Sequence, residues 1–190
     1  MKELFIDVET TGLDENKNAI HQISGAVVID GVEMETFDFN VRPFKGAIIN
    51  KQALNVGGVT MDQLRSYPEA RSVYLEFIKI LDRYVSKYDS KDKFFFFAYN
   101  AAFDNKFVRA FFLQNGDKYF GSYFWSGTID VMVLALEYLK KSRHLMNNFK
   151  LMTVAKFLQI EVDETKAHDS LYDIVITKKV YDATRQIKLY

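Results

Sequence analysis

The stretch Leu4-Phe5-Ile6-Asp7-Val8-Glu9-Thr10-Thr11-Gly12-Leu13-Asp14 runs three apolar residues into two carboxylates and breaks at Gly12. In an extended strand, residues two apart project from the same face, so Asp7 and Glu9 share one side while Val8 turns into the core. A strand that begins apolar and ends on two like charges needs something to receive those charges. Taken alone, Asp-x-Glu is a cheap pattern in a chain with 25 acidic residues, and a solvated strand end accounts for it. The rest of the sequence decides between the two readings.

Working outward, residues 20–29 and 33–41 carry strand patterns and are joined by Asp30-Gly31, a strong signal for a two-residue hairpin turn. The chain therefore opens with three antiparallel strands. Between residues 61 and 84 apolar positions recur at helical spacing through Leu64, Val73, Phe77, Ile80, Leu81 and Tyr84, and Pro68 places the main helix after it. Residues 94–98, Phe-Phe-Phe-Phe-Ala, are apolar throughout, as a strand covered on both faces requires. A helix is expected from Phe103, with Phe107, Val108 and Phe111 on one face, then a short strand at 123–125. Helical patterns follow over 129–140, 150–158 and 170–183, and the polar run 86–93 reads as a solvated loop. Three hairpin strands followed by alternating helix and strand predict an α/β fold with a mixed sheet flanked by helices.

Composition narrows the function classes. The 190 residues, 48% hydrophobic, suit one domain over 1–190 with a substantial core. The 25 basic and 25 acidic residues cancel, so any attraction to a phosphate backbone must be local. Seventeen Phe and 11 Tyr fill a core and leave rings for stacking on bases. The lack of cysteine excludes disulfides and thiolate metal sites. No run suits a signal peptide or approaches the roughly 20 apolar residues of a membrane span, so a cytoplasmic protein with no membrane partner is expected.

Two further acidic sites follow the first. In "FFFFAYNAAFDNKF" a buried strand ends near Ala98, the chain turns at Asn100, and Asp104 falls in the first turn of the next helix, beside Phe103 and Phe107. An acid there complements the helix dipole, but it also sits beyond a strand end, where sites of α/β sheets gather. Either ring could stack on a base, with core packing the stronger reading for Phe107. In "KAHDSLYDIVITKKVY" His168 precedes a helix, Asp169 or Ser170 can cap it, and Asp173 lies within it. Four converging carboxylates would repel one another and raise each other's pKa values unless cations stood among them. Oxygen donors without thiolates suit Mg²⁺ or Mn²⁺, and two such ions can activate water and stabilise a leaving oxygen in phosphodiester hydrolysis. A neutral His168 would then serve as general base.

The motifs "FIDVETTGLD", "NAAFDNKF" and "AHDSLYD" together resemble, in order, those of the DnaQ-like 3′-to-5′ exonucleases, the DEDD superfamily of the ribonuclease H-like fold. "HQISGAVVIDG" resembles that family's second strand and "KLMTVAKFLQI" the helix before its third motif, so the likeness runs over residues 4–181. His168 sets the histidine-containing (DEDDh) branch; the tyrosine branch would place a Tyr at 169, which is Asp here. The resemblance implies a five-stranded mixed sheet and two divalent metal ions, Mg²⁺ or Mn²⁺, held by Asp7, Glu9, Asp104 and Asp173, with Asp7 bridging both. It implies His168 as the base. Thr10, Thr11, Gly12 and Leu13 are implied to contact the 3′-terminal nucleotide, with Leu13 as an apolar wedge and Asn100 and Phe107 nearby.

The implied substrate is a single-stranded 3′ end, DNA ahead of RNA, cut to nucleoside 5′-monophosphates, with a polymerase subunit as candidate protein partner. Repair, RNA end-trimming and degradation of short oligoribonucleotides stay open, as does the oligomeric state. Tyr99-Asn100 and Gly57-Gly58 stand where members often carry His-Asn and His-Gly, which bears on substrate preference. A non-catalytic nucleic-acid-binding or assembly module on the same fold and a phosphatase of small nucleotides are the alternatives.

Overall fold

The computed structural model describes residues 1–166 and 169–185. Its centre is β1 (Lys2–Thr10), paired antiparallel with β2 (Ile20–Ile29), which pairs antiparallel with β3 (Val32–Asn40). The β2–β3 turn places Asp30 at φ 50° and Gly31 at φ 84°, the left-handed pair that a tight hairpin following strand twist demands. On its other side β1 pairs parallel with β4 (Phe94–Ala98), and β4 with β5 (Phe124–Asp130), giving the order β3-β2-β1-β4-β5. This is the mixed five-stranded sheet expected, three antiparallel strands and then parallel ones.

Helices cover both faces. Leu4, Ile6, Val8, Phe94 and Phe96 pack with Phe77 and Leu81 of α3 (Ala70–Tyr84) and Val108 and Phe112 of α4 (Ala101–Gln114). Phe5, Val28 and Phe97 pack with Val131 and Ala135 of α5 (Val131–Leu139), Val154 of α6 (Leu151–Phe157) and Ile174 and Val180 of α7 (Ser170–Thr184). Truncating a ring such as Phe77 would cost about 3–5 kcal/mol. The short helices α1 (Lys51–Val56) and α2 (Met61–Ser66) each bury one leucine, Leu54 and Leu64. At Gly25 a Cβ would stand 2.2 Å from the ring of Phe37, its partner on β3, so that ring can lie over β2 there because the residue is glycine.

The expected elements differ from the observed ones in three places. β5 extends to Asp130 instead of ending at residue 125, because its middle, Ser126-Gly127-Thr128, lies exposed on the sheet edge and has no apolar run to mark it. Ile129 and Asp130 are accordingly strand, and α5 starts at Val131. α4 begins at Ala101, two residues before Phe103, because its capping comes from elsewhere in the chain. α1 carries too little apolar periodicity to be read from sequence.

Candidate active site

β1 and β4 run parallel, so their carboxyl ends lie at one edge of the sheet, with Asp7 and Glu9 on the last turn of pleat. Val8 is buried, and Asp7 and Glu9 are partly exposed, as the strand alternation requires. α4 leaves β4 through Tyr99-Asn100 and carries Asp104 in its first turn. Asp104 is 3% exposed and its Oδ1 accepts from the Val8 backbone N at 3.1 Å, which ties the helix to β1 between the two acids. α7 brings its N-terminus to the same strand: Asp169 caps it by accepting from Tyr172 N at 3.1 Å, Asp173 lies in its first turn, and Ser170 Oγ reaches the Asp7 carbonyl at 3.5 Å. Two helix N-termini, with their partial positive charge, thus face the end of β1.

The electrostatics show the four acids near one another. Burial raises the Asp7 carboxyl well above the ordinary range, and Asp104, Glu9 and Asp173 raise it further, against a hydrogen bond from Ser170. Burial and the Asp173 charge push Glu9 to about 7. Burial pushes Asp104 to about 8, with Glu9 and Asp130 adding to it and the Val8 N–H opposing it. Ionising all of them requires positive charge, and hard all-oxygen donors fit a divalent ion such as Mg²⁺ or Mn²⁺. Among the described residues no three Asp, Glu or His side chains form a group placed to hold one ion. His168 lies outside the described residues.

The loop after β1 is braced from within. Thr10 Oγ1 donates to the Gly12 carbonyl at 2.7 Å, and Thr11 Oγ1 donates to the Ile48 carbonyl and accepts from Ala19 N, both at 2.9 Å. A Cβ at Gly12 would stand 2.5 Å from the Asn18 side chain, whose amide also bonds Ile48 and Asp14. The threonine side chains therefore hold the loop and are buried. Leu13 projects from it, 78% exposed, and its carbonyl accepts from Lys106 Nζ at 2.8 Å.

Asn100 is exposed at φ 68°. Phe103 is half-buried, 4.9 Å from the Phe107 ring. Phe107, 1% exposed, packs in the core, the stronger of its two readings, and backs Phe103, which keeps the accessible ring. Two residues make contacts that the sequence does not reveal: Lys106, which carries no local signal, and Asp130, which falls inside the expected helical pattern 129–140 and is instead the N-cap of α5.

The chain belongs to the exonuclease family whose model, named RNase_T, matches residues 4–181. It is thus a 3′-to-5′ exonuclease of the DEDD superfamily, a hydrolase acting on nucleic acid. Among particular relatives, ribonuclease T of Shewanella frigidimarina is 28% identical over 188 residues, covering 94% of this chain and 79% of that protein. Ribonuclease T of Haemophilus influenzae is 26% identical over 185 residues, covering 94% and 76%. E. coli exonuclease I in complex with a dT13 oligonucleotide has the same fold, with a TM-score of 0.74 at 18% identity over 97% of this chain. The chain spans 40% of that exonuclease I chain.

Proposed function

We propose that the chain is a metal-dependent exonuclease that removes nucleoside 5′-monophosphates from single-stranded 3′ ends. The observation that carries this is the meeting of Asp7, Glu9, Asp104 and Asp173 at the end of β1, where burial and mutual repulsion raise proton affinities. These four residues would hold two divalent ions, Mg²⁺ or Mn²⁺, which when bound supply a polarised water and charge stabilisation at the scissile phosphate. Asp104, anchored by Val8 N–H, sets its carboxylate relative to β1. His168 takes the proton of the attacking water, a role supported by its place in the third motif. Leu13 wedges beside the terminal base and Phe103 offers a stacking face, with Thr10, Thr11 and Gly12 shaping the loop and Asn100 at the rim.

The substrate expected is DNA, and the relatives named ribonuclease T favour RNA as a second reading. We further infer one catalytic domain over 1–190 that works in the cytoplasm, with a polymerase subunit as a possible partner to test by co-purification. The deciding experiment follows 5′-labelled single-stranded DNA and RNA with Mg²⁺, Mn²⁺ or EDTA, using the wild type and Asp7→Ala. A ladder shortening from the 3′ end and dependent on metal and Asp7 is expected, and the faster polymer identifies the substrate. Metal-independent shortening, or equal activity of Asp7→Ala, would refute the mechanism.

A further inference from the structure

Asp130 ends β5 and caps α5, yet its carboxylate reaches beyond its own helix. Oδ1 accepts from Met132 N at 2.9 Å and from Asn100 N at 3.1 Å, and Oδ2 accepts from Ala101 N at 3.0 Å. The last two N–H groups open α4, where Asn100 makes no side-chain cap of its own. A helix needs partners for its first N–H groups, and α4 takes them from a residue 29 positions further along the chain. Three residues after Ala101, Asp104 is bonded to Val8 N. The first turn of α4 is therefore pinned at two points, to β5 through Asp130 and to β1 through Asp104.

We propose that Asp130 is a positioning residue of the exonuclease site, fixing the rotational setting of α4 so that the Asp104 carboxylate meets the end of β1. With only the Val8 bond left, the turn would have a pivot and no second constraint. Asp130 is also near enough for its charge to raise the proton affinity of Asp104. The inference rests on the reading of the four acids as metal ligands.

The test separates this role from simple capping of α5. In Asp130→Ser the hydroxyl can still cap Met132 N but is too short to reach α4. In Asp130→Asn, Oδ1 remains an acceptor while an NH₂ replaces the oxygen facing Ala101 N–H. Mn²⁺ binding to the metal-free 190-residue chain, read by electron paramagnetic resonance, is expected to weaken about tenfold or more in Asp130→Ser and less in Asp130→Asn, as supporting-residue changes do. kcat on a single-stranded oligonucleotide should fall in the same order, with KM changing far less.

A lower Tm with wild-type Mn²⁺ affinity and kcat would confine Asp130 to capping and overturn the proposal. If Asp130→Ser does not fold, unaltered Mn²⁺ affinity in Asp130→Asn overturns it equally. Failure of the wild type to bind Mn²⁺ would overturn the metal reading and this inference with it; wild-type binding with unaffected variants would overturn this inference alone.

Discussion

Glu9 and Asp104 hold their protons more tightly in the folded chain than in the unfolded one, with pKa values moved from 4.5 to about 7 and from 3.8 to about 8. Between the ordinary and the raised values the folded chain carries more protons, so the stability of the metal-free protein falls as pH rises through that window. Its Tm should therefore decline between pH 5 and pH 8, and Mn²⁺ should raise Tm more at pH 8 than at pH 5; a metal-free Tm that rises over this range contradicts the crowding of the acids. Asp7→Asn removes one member of the crowd and should raise metal-free Tm at pH 8 while lowering turnover by more than about 100-fold, as loss of preorganised charge stabilisation does. The two neighbouring rings separate stability from binding. Phe107→Ala should cost about 3–5 kcal/mol in denaturant unfolding, because that ring is core. Phe103→Ala should cost less and raise KM; the reverse pattern would return the contact role to Phe107.

The loop of residues 10–19 and helix α4 act together, because Lys106 joins the Leu13 carbonyl to the helix. Gly12→Ala drives a methyl into Asn18 and should cost about 1–3 kcal/mol while raising KM through displacement of Leu13. Leu13→Ala, at an exposed site, should leave the unfolding free energy within about 0.5 kcal/mol of wild type and raise KM alone. A Leu13→Ala enzyme with unchanged KM on single-stranded substrate would remove the wedge. Elements were readable where one local force dominates: the Asp30-Gly31 turn, the all-apolar β4 and the periodic α3. The sequence pattern ends β5 early because an exposed edge strand carries polar residues, and it begins α4 late because the acceptors for its first N–H groups sit on Asp130, which no local pattern reveals.

For the molecule as a whole, the mixed character of the sheet followed from the sequence, three antiparallel strands and then parallel ones, while its order and the parallel β1–β4 pair that brings both strand ends to one side are seen only in the fold. The supporting contacts did not follow, because Lys106 to Leu13 and Asp130 to Ala101 join parts of the chain whose side chains have no spacing rule. The net charge of zero also gave no sign of a nucleic-acid partner. The acids come from opposite ends of the chain: Asp7 and Glu9 on the first strand, Asp173 on the last described helix. Closing the proposed centre therefore requires α7 to dock against β1, so cutting competence would come only with the complete tertiary fold and not with the sheet alone.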